Sequence, residues 1–269
     1  MSGRAGKRLK WTGHINMEVQ FWKVEAAGND FIMIDYRNPF FSEKLSNVAI
    51  HLTDRRLGIG ADGMILIESH PDVDFFMGYY NADGSGPVMC GNGSRASLYF
   101  VYECGIYGKE NYRFLASDGL HLGRVKNGKV SLTINQPGDF QSIKIGSETV
   151  YLVDTGVPHM VRFSENISEL NIYAESPALR KQYNANINYI EKLSDSRWKI
   201  RTYERGVEDE TLACGTGATA SAVTINHVSG DPFPITLQAR GGDLSIDKQT
   251  DKLWLAGPVR KVFEGTFSI

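Results

Sequence analysis

The chain lacks most of the features that mark membrane, nucleic-acid-binding and secreted disulfide-rich proteins. No apolar run approaches the roughly 18 residues of a membrane span, and no signal peptide with an apolar centre opens the chain. Its 3 cysteines are an odd number, and neither a zinc-ligand spacing nor a Cys-x-x-Cys pair is present. These absences predict a cytoplasmic protein without a membrane partner, whose thiols stay reduced.

Residues 1–16 carry basic side chains at Arg4, Lys7, Arg8 and Lys10 and no acidic residue, whereas Met17 opens a strand-like sequence. We therefore expect residues 1–16 to be a disordered leader or tag, with an organelle-targeting peptide as the minor alternative. The remainder has 25 basic against 31 acidic residues, a net charge of −6. That balance predicts no nucleic-acid partner.

Composition and local patterns predict a sheet-rich chain with a packed core. Hydrophobic residues make up 42% of the 269, enough for one large or two medium domains. Strand-like segments flank Asn127-Gly128 and Gly241-Gly242, which predicts two hairpins. The predicted helices are 42–56 with Ser42 as N-cap, 174–183, and the segments that follow two glycine-rich cysteine motifs.

Those two cysteine motifs are Cys90-Gly91-Asn92-Gly93 and Cys214-Gly215-Thr216-Gly217, and a second pair of motifs precedes them in the same order. Gly28-Asn-Asp-Phe starts 62 positions before Cys90, and Gly156-Val-Pro-His starts 58 before Cys214. This order predicts a duplication into halves 17–134 and 135–258 that face each other across a cleft. A single antiparallel domain with a coincidental repeat is the alternative.

Each Gly-x-Gly turn precedes a helix-like segment, so Cys90 and Cys214 are predicted to lie at helix N-termini. Free N–H groups and the positive end of the helix dipole favour a thiolate or a substrate carboxylate there. We therefore expect the pKa of both thiols to lie below the ordinary value of about 8.5. Cys104 has no such setting and is predicted to be a buried packing residue.

Two thiols on opposite sides of a stereogenic carbon can invert its configuration, because one removes a proton and the other returns one to the opposite face. Helix-terminal N–H groups aimed at a substrate carboxylate would stabilise the carbanion without a cofactor. His159 and Glu204 are the candidates for tuning the thiols. Glu204 and Arg205 together suit the two charges of a zwitterion, although a solvated ion pair is the default role of such neighbours.

The segments 28–31, 81–85, 89–95 and 204–218 together closely resemble the diaminopimelate epimerase family. The resemblance extends over nearly all of residues 17–269, and the paired cysteine motifs make it specific. It implies an α+β fold of two similar halves, each a mostly antiparallel β-sheet wrapped around a central α-helix, with the active site in the cleft between them. It also implies that the final strand, 259–269, returns to the first half.

The resemblance implies an isomerase that interconverts LL- and meso-2,6-diaminopimelate, a small molecule on the route to lysine and peptidoglycan, without pyridoxal phosphate, metal or other cofactor. By matching positions, Cys90 and Cys214 would be the acid/base pair, and His159 and Glu204 would tune them. The implied substrate contacts are Asn29, Asn81, Gly91, Asn92, Asn186, Glu204, Arg205, Gly215 and Thr216. Homodimer formation is left open.

The chain departs from the family pattern at two positions. The family usually has an asparagine that touches substrate where this chain has Val157, and some members have a glutamine where it has Gly63. Val157 offers no side-chain hydrogen bond, which removes about 1 kcal/mol or more of discrimination unless another group or a water compensates. These positions put the distal substrate contacts in question and leave the two-thiol core intact.

Three other functions fit parts of the sequence. A cofactor-independent racemase or epimerase of the same fold, acting on proline or hydroxyproline, ranks next, and turnover of single-centre amino acids would identify it. An isomerase of phenazine-type chemistry does not call for paired cysteines. A small-molecule binding protein would not need both cysteines either, so replacing each in turn separates binding from catalysis.

Overall fold

The computed structural model describes residues 17–268, so the predicted leader or tag 1–16 lies outside the described residues. The first half of the described chain forms β1 (Glu18–Ala26), β2 (Asn29–Asp35), α1 (Leu45–Thr53), β3 (Gly63–Glu68), β4 (Phe75–Asn81), α2 (Gly91–Glu103), β5 (Asn111–Ala116), β6 (Gly119–Lys126) and β7 (Lys129–Ile134).

The second half follows this order with four additions: a strand at its start, a 3₁₀ turn before its first helix, a short strand before its second helix, and a final strand. It forms β8 (Phe140–Ile145), β9 (Glu148–Asp154), β10 (Pro158–Phe163), a 3₁₀ turn (Ile172–Ala174), α3 (Ser176–Tyr183), β11 (Asn186–Ser194), β12 (Arg197–Glu204), β13 (Asp209–Thr211), α4 (Gly215–Ser229), β14 (Ile235–Ala239), β15 (Gly242–Gln249), β16 (Lys252–Gly257) and β17 (Arg260–Ser268).

The strand pairings show the duplication directly. In the first half β2 runs parallel to β3 and β4 parallel to β5, and in the second half β10 runs parallel to β11 and β12 parallel to β14. All other pairs are antiparallel, including the β7–β16 pair that joins the halves. The last strand, β17, pairs with β1 at the start of the chain, as β8 pairs with β9 in the second half.

Strand register fixes which residues correspond in the two halves. Phe31 lies opposite Gly63 in the β2–β3 pair, and His159 lies opposite Asn186 in the β10–β11 pair. Each half is therefore built on the same pattern, which confirms the predicted two-halved α+β fold. The division into units 17–134 and 135–258 stays a prediction, because one sheet runs through both.

Helices α2 and α4 occupy the centres of the two halves. Ten of the 13 residues of α2 and nine of the 15 residues of α4 are buried. A helix buried on nearly all sides must be apolar or small-sided all round, and Gly, Ala, Ser and Thr supply that in α4. The surrounding strands contribute a shared core of Val, Ile, Leu and aromatic side chains.

Local predictions hold best where turn chemistry is strong. Asn127 and Gly128 both adopt positive φ, of 50° and 74°, between β6 and β7, as a type I′ hairpin requires. The hairpin at 241–242 also forms, between β14 and β15. Helix 42–56 is shorter than predicted, and its N-cap is Lys44 with no side-chain cap, so the Ser42 prediction is wrong.

None of the helices in residues 17–268 is both long and apolar enough to cross a membrane.

Candidate active site

The two motif cysteines cap the two central helices. Cys90 is the N-cap of α2 and Cys214 the N-cap of α4, each with extended backbone. Cys90 Sγ accepts a hydrogen bond from the Gly93 N–H at 3.4 Å, and Cys214 Sγ accepts the matching bond from Gly217 at 3.4 Å. The predicted placement of both thiols at helix N-termini is therefore correct.

The two helix N-termini meet at their first residues. A Cβ added to Gly91 would lie 3.8 Å from the Gly215 Cα, and one added to Gly215 would lie 3.7 Å from the Gly91 Cα. Both would also press on Leu255 of β16. The tightest contacts of such Cβ atoms would be with Leu255, at 3.2 and 2.8 Å, so glycine leaves room for Leu255 where the two helix N-termini meet and direct their terminal N–H groups into one cleft.

The surroundings of the thiols differ from the sequence prediction in one respect. Burial raises the pKa of Cys90 and raises the pKa of Cys214 to about 12, and the bonds from Gly93 and Gly217 offset this only in part. The expectation of lowered thiol pKa values is therefore wrong for this structure, because desolvation outweighs the helix terminus. Cys104 was predicted to be buried, yet it is exposed at the C-terminal end of α2.

In the first half, Asn29 and Asn92 lie in a hydrogen-bonded chain beside the helix N-terminus. The Asn92 amide donates to Asn29 Oδ1 and, across the halves, to the Ala213 carbonyl at 3.3 Å. Asn29 in turn donates to Asp62 Oδ2 at 3.0 Å, and Arg55 holds that carboxylate through Oδ1 at 2.8 Å. Asp62 and Arg55, which orient Asn29, were not predicted from the sequence.

In the second half, His159 is fully buried. The Asn188 amide lies 3.2 Å from His159 Nδ1 and donates to the Met160 carbonyl at 3.0 Å, while Thr202 Oγ1 donates to Asn188 Oδ1 at 3.0 Å. Because Met160 O can only accept, the amide nitrogen faces His159, and Nδ1 must be the acceptor. The His159 proton then lies on Nε2, which has no hydrogen-bond partner within residues 17–268.

Burial, and secondarily the charge of Arg205, lowers the pKa of His159 to about 3, so its ring is neutral at physiological pH. Asn188 and Thr202 were not predicted from the sequence. Polar residues alternating with apolar ones along β11 and β12 were the available signal, but alternation alone does not say which face is buried.

Asn186, Glu204 and Arg205 lie together at the ends of β11 and β12. Asn186 Oδ1 accepts from the Arg205 backbone N–H at 2.8 Å, and its amide donates to the Pro158 carbonyl at 3.2 Å. Arg205 Nη1 donates to the Asn184 carbonyl at 3.2 Å. Burial raises the pKa of Glu204, and its negative charge raises the pKa of both Cys90 and Cys214.

Asn81 and Thr216 are the remaining predicted contacts. Asn81 ends β4 and donates to Ser85 Oγ at 2.9 Å. Thr216 Oγ1 lies 3.4 Å from Cys214 Sγ, and its carbonyl accepts from Thr155 Oγ1 at 3.3 Å. Asn81 has no hydrogen bond to the other predicted contacts among the described residues, whereas Thr216 is adjacent to a thiol.

The fold is shared with solved structures of low sequence identity. A phenazine biosynthesis protein of the PhzF family from Enterococcus faecalis superposes with a TM-score of 0.76 at 13% identity, covering 94% of this chain and 100% of that one. A hydroxyproline epimerase from Agrobacterium vitis superposes with a TM-score of 0.68 at 13% identity, covering 97% and 94%. These likenesses show that the chain has the two-halved fold of these proteins.

Sequence comparison gives the family. The model of the diaminopimelate epimerase family matches residues 21–139 and 151–262. The diaminopimelate epimerase of Flavobacterium psychrophilum is 39% identical over 260 residues, covering 92% of this chain and 100% of that protein. The chain belongs to the diaminopimelate epimerase family.

Proposed function

We propose that this isomerase interconverts LL- and meso-2,6-diaminopimelate, a step toward lysine and peptidoglycan, with Cys90 and Cys214 as its acid/base pair. The observation that carries the proposal is the meeting of two cysteine-capped helices at Gly91 and Gly215. Relatives that are 39% and 38% identical to this chain bear the name diaminopimelate epimerase. A single nucleophile or a binding cleft would not need this symmetric pair.

The proposed reaction moves one proton off the substrate and one proton on. A thiolate takes the proton from the α-carbon on one face, which leaves the electron pair on that carbon and makes the thiolate a thiol. The opposite thiol then gives its proton to the other face and becomes a thiolate. The configuration inverts, the sum of protons is unchanged, and no cofactor enters the step.

The carbanion needs stabilisation, and the helix termini supply it. The first turns of α2 and α4 present backbone N–H groups that lack intrahelical partners, including those of Gly91, Asn92, Gly215 and Thr216. Aimed at the α-carboxylate, these groups and the two helix dipoles favour the negative charge that develops in the transition state. Gly93 and Gly217 instead direct their N–H groups to the thiols.

The other end of the substrate carries a second ammonium and carboxylate. Asn81, Asn186 and Arg205 are proposed to bind that end together with Glu204, and Asn29 to contact the substrate beside α2. His159 and Glu204 are proposed to set the protonation of the thiols, since His159 is fully buried, Glu204 is partly buried, and Glu204 acts electrostatically on each thiol. The predicted cytoplasmic location and the question of a homodimer stay predictions.

The test is proton NMR of reduced enzyme with LL-diaminopimelate in deuterated water, combined with chiral analysis of the product. We expect deuterium to enter at the α-carbon as the meso isomer forms. A folded, reduced sample that shows neither exchange nor conversion would contradict the proposal and direct attention to single-centre amino acids such as proline.

Cys90→Ser and Cys214→Ser should each abolish epimerisation while substrate still binds, a loss of roughly a hundredfold to ten-thousandfold as for other general acid–base groups. Cys104→Ser is the matched control, because Cys104 is exposed at the far end of α2, and it should keep wild-type turnover. Full turnover in either active-site variant would refute the two-base mechanism.

A further inference from the structure

One charged group near the thiols has no role in the proposed proton transfers. Arg95, on the second turn of α2, is fully buried. Its guanidinium folds back toward the N-terminus of its own helix, where Nη2 donates to Asn92 Oδ1 at 2.7 Å and Nη1 lies 3.4 Å from the Gly91 carbonyl. The cation therefore lies against the two residues that directly follow Cys90.

This buried cation lacks a carboxylate. No Asp or Glu of residues 17–268 forms a salt bridge with Arg95, and its Nε has no hydrogen-bond partner there. A Cβ at Gly257 would lie 3.1 Å from that Nε, so the backbone of β16 encloses the group. Burying an unpaired charge is costly unless an anion or hydrogen bonds compensate. The negative charges that act on Arg95 are those of Glu25 and, when ionised, the Cys90 thiol, which acts more strongly.

The corresponding site in the second half is neutral. Thr219 occupies in α4 the position that Arg95 has in α2, five residues after the capping cysteine, and is equally buried. Its Oγ1 donates to the Gly215 carbonyl at 2.9 Å, as the Arg95 guanidinium reaches the Gly91 carbonyl. The Cys214 sulfur has the Thr216 hydroxyl and the Gly217 N–H as its hydrogen-bond partners in the described chain.

The charged groups that act on the two thiols also differ between Cys90 and Cys214. Glu204 raises the pKa of both thiols, and Cys90 adds to the effect at Cys214, whereas Arg95 lowers the pKa of Cys90. Conversely, burial lowers the pKa of Arg95 to about 10, and negative charge at Cys90 and, to a smaller extent, at Glu25 opposes that change. Tyr79 also faces this cluster, and burial raises its pKa, so it is neutral.

We propose that Arg95 makes Cys90 the thiol that ionises first, so that the free enzyme holds its base at Cys90 and its acid at Cys214. This inference rests on the proposed function, because the terms base and acid refer to the proposed epimerisation. In the first half-reaction the Cys90 thiolate accepts the substrate proton and the Cys214 thiol donates its own. Arg95 is a positioning residue, because it acts through Cys90 by favouring the negative charge of the Cys90 thiolate.

The test measures the ionisation of each thiol in the free wild-type enzyme. Iodoacetamide alkylates thiolates, so the alkylation rates of Cys90 and Cys214, resolved by peptide mass spectrometry between about pH 6 and 12, give the pH of half-maximal rate for each, and a rate that still rises at the highest pH places the midpoint at or above that pH. This midpoint does not depend on how accessible each sulfur is. We expect the midpoint of Cys90 to lie at least about one pH unit below that of Cys214, a tenfold difference in thiolate population.

Variants test whether Arg95 causes the difference between the Cys90 and Cys214 midpoints. Arg95→Gln should raise the Cys90 midpoint by about one pH unit or more and leave the Cys214 midpoint in place, because only the nearby charge is lost. Arg95→Lys should restore most of the difference, since it keeps the charge. Thr219→Val, the matched change in α4, should move neither midpoint by a comparable amount.

A Cys214 midpoint at or below that of Cys90 in wild-type enzyme would overturn the proposal, and this comparison needs no variant to fold. An unchanged Cys90 midpoint in folded Arg95→Gln would overturn the role of Arg95. Because no substrate is present, the result is independent of turnover. An enzyme that epimerises diaminopimelate but ionises Cys214 first refutes this inference alone, and an enzyme that ionises Cys90 first but shows no turnover refutes the proposed function alone.

Discussion

The two halves of this protein have the same strand order but different layers beneath their central helices. In the N-terminal half, Gly93 of α2 faces Ile65, the contact a Cβ would meet at 3.1 Å. The neighbouring strands contribute Phe31 and Tyr79, whose rings pack edge to face at 5.6 Å. This layer is aromatic and aliphatic, and its energy comes from burial of apolar surface.

In the C-terminal half the corresponding layer is polar. Gly217 of α4 faces Asn188, whose side chain joins His159 to Thr202. These three residues have the register positions of Ile65, Phe31 and Tyr79. A buried polar network holds its members in one arrangement only while every partner is present. The two halves thus share a backbone arrangement but differ in the side chains of this layer. Two similarly placed thiols therefore have different surroundings.

The largest expected effect comes from making the second layer resemble the first. Asn188→Ile would leave the Met160 carbonyl, the Thr202 hydroxyl and His159 Nδ1 without their partner. Each buried polar group left unsatisfied costs roughly 1–3 kcal/mol, so we expect about 3 kcal/mol or more of lost unfolding free energy. Urea unfolding followed by circular dichroism measures it.

The reverse exchange, Ile65→Asn, is the matched experiment, because it buries an amide among Phe31 and Tyr79. We expect a loss of several kcal/mol there too, from an unpaired amide and a lost aliphatic side chain. If Asn188→Ile unfolds within about 1 kcal/mol of wild type, the network is not the basis of the C-terminal layer.

The two layers also differ in how they make the free energy of unfolding depend on pH. Burial first, and Arg205 second, lowers the pKa of His159 to about 3, so between this value and the ordinary value the unfolded chain binds a proton that the folded chain does not. His159 therefore costs no stability above about pH 6.5 and lowers stability as the pH falls, by about 1.4 kcal/mol per pH unit.

We expect wild-type protein to lose about 2 kcal/mol more than His159→Gln between pH 7 and pH 5, measured by urea unfolding at each pH. Phe31, at the same register position in the other half, has no proton to bind. His227→Gln is the control, because His227 is exposed. A His159→Gln variant with the same pH dependence as wild type would show that another group carries it.

A smaller effect is expected for the outer member of the polar layer. Thr202→Val removes the hydroxyl that donates to Asn188 Oδ1 at 3.0 Å and should cost about 1–2 kcal/mol of unfolding free energy. Thr224→Val is the matched control, since Thr224 is equally buried but donates only to the Ala220 carbonyl of its own helix. That bond supports no other side chain, and equal losses in the two variants would argue against a cooperative layer.

Much of this comparison was accessible from the sequence, and the rest was not, for physical reasons. The Gly-rich cysteine motifs predicted the helix N-termini, because turn and helix-start chemistry is local. The polar layer and Arg95 depend on which face of β11, β12 and α2 is buried, and that is set by long-range packing. The thiol pKa prediction failed for the same reason, since desolvation depends on the whole fold rather than on the helix terminus.

The smallest expected effect concerns a position where the halves differ at the cleft itself. Val157 stands two residues before His159, as Asn29 stands two residues before Phe31, so the register makes Val157 the counterpart of Asn29. Asn29 lies in a hydrogen-bonded chain with Asn92 and Asp62. Val157 is partly buried, and its carbonyl accepts a hydrogen bond from the Thr155 N–H at 3.1 Å. At this pair of positions the cleft is therefore polar in the first half and apolar in the second.

Val157→Asn would restore the polar group on that side. If the added amide bonds bound diaminopimelate, a net gain of about 1 kcal/mol lowers KM roughly fivefold. Because the contact lies at the distal end of the substrate, it forms equally in ground and transition states, so kcat should stay near wild type. Val157→Leu, which adds volume without a polar atom, should not lower KM. An unchanged KM in Val157→Asn would mean that the distal end is already fully bound by groups such as Asn186 and Arg205, and that the asymmetry at Val157 has no consequence for affinity.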